Sequence, residues 1–202
     1  MKTPLKRSLR ALFLTSLGLF PLVSIRAAVE TYEIDPVHTW VGFTVPHFFT
    51  NVPGFFSKVK GTLIVDRDRL TNSRVEVTIE VPSITTNTPM RDDDLRSDNF
   101  FSAGRYPVMT FKSRTWAHIE NDVYAVTGDL MIKGITKEVV LKVKSTGFGP
   151  GLKGAAISGW EVSTKLDRRD FGITADQGMI GNSVEVVIHV EADLRSRVPE
   201  KP

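Results

Sequence analysis

Between Thr88 and Pro107 the chain reads TPMRDDDLRSDNFFSAGRYP. Three adjacent carboxylates, Asp92, Asp93 and Asp94, are flanked by Arg91 and Arg96. Paired carboxylates could do acid/base work. Neighbours on a helix point in different directions, however, and the two arginines would keep the carboxylates ionised. A solvated helix face is the reading this charge run supports. A second polar knot, LDRRDFGI (Leu166 to Ile173), reads as a turn with internal ion pairs, with Phe171 folding back on the apolar end. An arginine of this knot tucked into a cavity mouth could instead hold an anionic head group. The four histidines, His38, His47, His118 and His189, show no HxxxH or HExxH spacing. No metal site is expected from them, and hydrogen-bonded structural roles are. No GxSxG elbow, P-loop or GxGxxG occurs, and there is no cysteine in 202 residues. Thiol catalysis, zinc–thiolate sites and iron–sulfur clusters are thereby excluded.

Strands must position these residues. Val41, Phe43 and Val45 share one face of HTWVGFTV; Val75, Val77, Ile79 and Val81 share one face of SRVEVTIEV. Val184, Val186, Ile188 and Val190 repeat the pattern. Strict alternation marks half-wet strands of an antiparallel sheet. Turns are expected at Asp66 to Asn72, at Glu120 to Asp122 and at Lys133 to Thr136, with a longer loop at Gly147 to Gly154. About eight or nine long, hairpin-linked strands predict an all-β fold. A closed antiparallel barrel of about eight strands, able to hold one ligand, is the first reading; a two-sheet sandwich is the alternative.

The exception is the charged stretch. Thr88 is placed as an N-cap and Pro89 as the first helical residue, so one short helix is expected in a crossing loop. It would lie over a barrel end with its charges in water and Phe100 and Phe101 plugging the mouth. Pro46 to Phe56, PHFFTNVPGFF, reads as a second rim loop carrying Phe48, Phe49, Phe55 and Phe56. Together the two segments hold half of the 12 Phe. Either these rings cap a filled core or they line an apolar entrance.

The N-terminus is a separate matter. Lys2, Lys6, Arg7 and Arg10 precede the apolar run Ala11 to Ile25, which is short for a membrane span. This pattern predicts a signal peptide over residues 1–28, a soluble domain over 29–194 and a flexible polar tail over 195–202. No stable membrane span is expected after cleavage. The destination is a periplasm, or the exterior. The formal charge of +3 is misleading, because the leader holds five of the 26 basic residues and no acidic one. The remaining 21 basic residues face 23 acidic ones, a net charge of −2. No positive field is left to attract nucleic acid.

Four blocks resemble one family in order. YEIDPVHTWVGFTVPH, RDDDLRSDNFF with YPVMTFKS, VTGDLMIKGITKEVVL, and LDRRDFGI with GNSVEVVIHVEA are similar to the motifs of the YceI-like family of lipid-binding, lipocalin-like periplasmic proteins. The likeness covers about Thr31 to Ala192. It departs from the family at Asp94, where a histidine is usual, and at Glu138, where a proline is usual. The resemblance implies an extended lipocalin-like barrel holding a long isoprenoid or acyl lipid, such as a polyisoprenoid, an isoprenoid quinone or a fatty amide. It implies binding, with no enzyme activity and no cofactor, and a possible homodimer. Val41, Phe43, Val77, Ile79, Phe111, Leu141, Val186 and Ile188 are then expected in the tunnel, with the six rim phenylalanines around its entrance. Asn87, Arg91 and Arg96 are expected near the mouth, although helix-surface ion pairs would account for both arginines. An enzyme acting on a prenyl or acyl lipid, and a filled-core structural or stress-response module, are the competing functions.

Overall fold

The computed structural model describes residues 28–199; the predicted signal peptide lies almost wholly outside them. The alternating segments form eleven strands: β1 (Ala28–Ile34), β2 (Trp40–His47), β3 (Thr50–Phe56), β4 (Val59–Asp66), β5 (Arg74–Glu80), β6 (Ile84–Thr85), β7 (Val108–Glu120), β8 (Val123–Ile132), β9 (Ile135–Pro150), β10 (Ala156–Asp167) and β11 (Ser183–Pro199). One α-helix, α1 (Pro89–Arg96), interrupts them between β6 and β7, and short 3-10 turns occur elsewhere among the described residues.

Eight of these strands close a ring in the order β1-β4-β5-β7-β8-β9-β10-β11, with β11 returning to β1. Every pairing is antiparallel. The length of β11 allows the closure. Its Ala192–Pro199 half pairs with β1, while Glu185–His189 pairs with β2 on the same edge. From β2 the sheet continues through β3 to β6, extending the wall at one end. Closure removes the open edges that a two-sheet sandwich would keep. The barrel is therefore the architecture.

Local chemistry sets the turns. β8 and β9 meet through Lys133-Gly134, both at positive φ, directly after the Ile132–Ile135 pair. That is a two-residue turn whose twist matches the strands. A Cβ on Gly134 would also collide with the Tyr106 ring at 2.6 Å.

Three segments differ from expectation. Pro46 to Phe56 is a β2–β3 hairpin instead of a loop, with Phe43 paired opposite Gly54. The prolines fit because neither has an outer ladder partner: Pro46 lies beyond the last β2–β11 pair at Thr44, and β3 has no outer neighbour at residues 50–54, so a missing N–H costs no ladder bond. The loop expected at Gly147 to Gly154 is shorter, since β9 pairs with β10 as far as Pro150–Ala156. The tail expected at 195–202 enters the sheet as far as Pro199. Arg195 and Arg197 there bond Glu33 and the buried Glu30 at 2.8 and 2.7 Å.

Candidate functional site

The barrel is hollow. At one end Trp116, Trp160, Phe148 and Tyr32 pack together as an aromatic floor. Trp116 and Trp160 meet edge-on at 5.8 Å, Phe148 and Trp160 at 5.5 Å, and Tyr32 lies 6.0 Å from Phe148. Trp160 Nε1 donates to Ser158 Oγ at 3.1 Å. Above the floor runs a cavity of about 790 Å³, inside the ~300–1,000 Å³ range of ligand pockets. A filled core is therefore not what this sequence builds.

The eight residues expected in the tunnel all line this cavity: Val41 and Phe43 from β2, Val77 and Ile79 from β5, Phe111 from β7, Leu141 from β9, Val186 and Ile188 from β11. Phe56, Phe100, Phe101 and Arg91 line it too. Pleat geometry accounts for this, because residues two apart on a strand share a face.

The α1 segment covers the cavity. Phe100 is buried, and Phe101 meets the Phe56 ring edge-on at 5.9 Å. The helix charges do not all face water. Asp92 is only 5 % exposed. Its carboxylate accepts from Thr86 N–H at 2.7 Å, Thr86 Oγ1 at 2.5 Å and Thr85 Oγ1 at 2.9 Å. Burial opposes ionisation there, but these bonds win and hold the carboxyl below the ordinary carboxylate value. Thr88 occupies the N-cap position without capping, because its hydroxyl accepts from Arg91 Nη2 at 3.0 Å. Arg91 also donates to Thr86 Oγ1 and Thr86 O. Arg96 pairs with Asp93 at 3.0 Å and clamps the Pro82 and Ile84 carbonyls. Arg96 thus fastens the helix to the wall without lining the cavity. Asn87, exposed at φ 59°, does not line it either.

Phe55 also turns away from the cavity, on the other face of β3, with its ring 6.4 Å from Trp40. Phe48 and Phe49 sit at the β2–β3 tip, 62 % and fully exposed. None of these three lines the cavity itself, although Phe48 and Phe49 stand beside its mouth, next to the lining residue His47.

The fold divides the two arginines of the LDRRDFGI knot. Arg169 stays outside and grips Asp167 (2.6–3.1 Å), which brings that carboxyl down to about 2. Arg168 turns inward beside the cavity, 6 % exposed. It donates to the carbonyls of Gly181, Ile173, Ala175 and Ile180 at 2.6–3.2 Å. Gly172 in the left-handed region (φ 69°) reverses the chain, and Arg168 holds the returning segment 173–181 against the barrel. That segment adds Asp176, Met179 and Ile180 to the cavity lining, which also includes Met90 and Asp94 from α1; all but Ile180 are exposed and so mark where the cavity reaches the surface. Neither methionine was predicted; an isolated Met in a polar loop carries no periodic signal.

Outside the barrel, His38 Nδ1 donates to Asp35 Oδ2 at 2.6 Å, with Glu191 Oε1 3.7 Å away. Glu138, the departure from the usual proline, accepts from Arg114 at 2.9 Å together with Asp129, an exposed link across β7, β8 and β9.

The YceI-like domain model matches residues 32–192. The chain belongs to the YceI-like family. Protein YceI of Salmonella arizonae is 35% identical over 188 residues, covering 93% of this chain and 97% of that one. Among solved structures, Burkholderia cenocepacia BcnA superposes with a TM-score of 0.72 at 23% identity, covering 78% of this chain and 98% of that one. A polyisoprenoid binding domain from Saccharophagus degradans gives 0.63 at 14% identity, covering 81% and 98%. At those identities the two structures show a shared barrel fold. The YceI-like hairpin, central and closing motifs thus sit at the wall, the lid and the mouth of one cavity.

Proposed function

We propose that this YceI-like protein binds and carries, or sequesters, a long-chain amphiphilic lipid inside its barrel. The ligand class is a polyisoprenoid, an isoprenoid quinone or a fatty amide. The observation that carries this reading is the continuous apolar cavity, floored by aromatic rings and opening at a few polar side chains. A tube of this kind suits a linear chain with its head at the mouth. Burial of ~500 Å² of apolar area would be worth about 12 kcal/mol gross. Ordering a flexible chain offsets much of that. The Saccharophagus relative, described as polyisoprenoid binding, supports the same class.

The reading is of binding and not turnover. The titratable side chains along the cavity, His47, Arg91, Asp94, Arg168 and Asp176, make no hydrogen bond to one another among the described residues. The leader-like N-terminus supports export to a periplasm or beyond.

The test is organic extraction and mass spectrometry of the purified protein, followed by refilling of delipidated protein with a prenyl alcohol or a fatty amide. A stoichiometric long-chain species, or saturable uptake of either probe, is expected. An empty protein that takes up neither overturns the proposal.

A further inference from the structure

Phe48 and Phe49 have no role in the cavity, yet the chain displays them at its mouth. The β2–β3 tip is tied to the 173–181 segment: Phe48 N–H donates to the Met179 carbonyl at 3.0 Å, and His47 bridges Ile180. His47 and Met179 both line the cavity where it reaches the surface, as does Met90, which is 82 % exposed. Phe48, Phe49, Met90 and Met179 therefore project from the end of the barrel at which a ligand enters. From Val45 to Phe56 there is no Asp, Glu, Lys or Arg. The tip can leave water without stripping any charge of its hydration.

The geometry points to a membrane-docking surface: the β2–β3 tip, with Met90 and Met179, inserts shallowly into a neutral, zwitterionic bilayer so that the cavity mouth opens onto the lipid. This rests on the reading of the cavity as a lipid site. Three observations favour a bilayer over a second copy of the chain. Two phenylalanine rings offer on the order of 300 Å², against the ~800 Å² per partner of a stable protein interface. The unpaired edge of β3, which could add a strand from a partner, contains Pro53 and so lacks a donor there. The apolar tip is joined to the cavity mouth, so a chain could pass from bilayer to barrel without crossing water. The lining carries Asp94 and Asp176 with Arg91 and Arg168, a balance of charge that gives anionic head groups no net attraction and suits a zwitterionic surface.

The test compares the wild type with Phe48→Asn/Phe49→Ser, which alters side chains outside the cavity at a tip where φ 48° suits asparagine. Phe49 is wholly in water, and Phe48 rests edge-on against His47 at 4.8 Å. Sedimentation with phosphatidylcholine vesicles should capture the wild type, and capture should fall at least ~10-fold in the variant. Transfer of a fluorescent geranylgeranyl probe out of those vesicles should slow by a similar factor. Equilibrium uptake of the same probe from solution should be unchanged. Failure of the wild type to bind vesicles, or equal binding and transfer by both proteins, overturns the docking surface. So does a wild-type dimer that the variant abolishes without any vesicle binding. No uptake from solution by the wild type would overturn the lipid cavity itself, and with it this inference, a result distinguishable from loss of docking alone.

Discussion

Phe101 meets Phe56 edge-on, ring centroids 5.9 Å apart at 88°. This contact joins the segment after α1 to the end of β3, and both rings face the cavity. A lid held by packing should yield to truncation. Phe100→Ala, removing a buried ring, should cost about 3 kcal/mol. Phe101→Ala should cost about 1–2 kcal/mol, of which the aromatic pair supplies roughly 1. Denaturant unfolding measures both. Dissociation of a preloaded fluorescent fatty amide should be faster in each, by about tenfold for every 1.4 kcal/mol of bound-state stabilisation lost.

Val186 on β11 faces empty space. Val186→Trp should fill part of the cavity and reduce probe affinity by at least ~10-fold, without loss of thermal stability, because no packed neighbour must move. Binding titration and a thermal melt on one preparation check this. An undiminished affinity would mean the ligand does not occupy the tunnel at that depth.

Asp92 anchors α1 from beneath. Asp92→Ala leaves the Thr86 N–H and two hydroxyls without their acceptor and should cost about 2–3 kcal/mol. The pH dependence follows from its lowered pKa. An unfolded Asp titrates at 3.8, and the folded carboxyl below that. Its stabilisation is therefore complete above pH 3.8 and is lost as pH falls through the folded value. Urea midpoints between pH 5 and 2.5 should fall less steeply in Asp92→Ala than in the wild type.

Arg168 and Arg169 should separate cleanly. Arg168→Met strips four carbonyls of a buried donor and should destabilise by about 3 kcal/mol or more. It should also speed amide exchange across 173–181. Arg169→Met, losing an exposed pair with Asp167, should leave the unfolding midpoint nearly unchanged. Equal effects would mean the inward clamp is not formed.

His38 is held above its ordinary 6.5 by the hydrogen bond and charge of Asp35, while Asp35 is held below 3.8 by the same bond. The His38 contribution is full below pH 6.5 and lost as pH rises through its folded value. That of Asp35 is full above pH 3.8 and lost as pH falls through its folded value. The pair is intact between those limits. The His38 ring proton resonance should titrate above 6.5, and Asp35→Asn should return it towards 6.5.

Side-chain period decided much of the molecule before folding. On β2, β5 and β11 the apolar residues recur every second position, which commits Val41, Phe43, Val77, Ile79, Val186 and Ile188 to one surface. That surface could not tell its own outcome. A filled core and a hollow tube need the same alternation; only the closure of eight strands, with Trp116 and Trp160 gathered at one end, leaves the space between them open. Pro46, Pro53 and Gly54 read locally as chain breakers, yet the missing outer partners of β2 beyond Thr44 and of β3 before Phe55 let them stand in a hairpin.

Charge shows the same division. The sequence alone determined that this is an all-β chain whose one short charged helix is followed by two phenylalanines, because propensity, a proline in the first turn and alternation act over a few residues. Whether a given arginine meets water or the interior depends on contacts distant in the chain. Arg168 and Arg169 are neighbours of one type, and the carbonyls of segment 173–181 draw one inward while Asp167 keeps the other outside. Phe48 and Phe56, alike in sequence as rim aromatics, part in the same way: pleat and register send Phe56 into the cavity and leave Phe48 at an exposed tip.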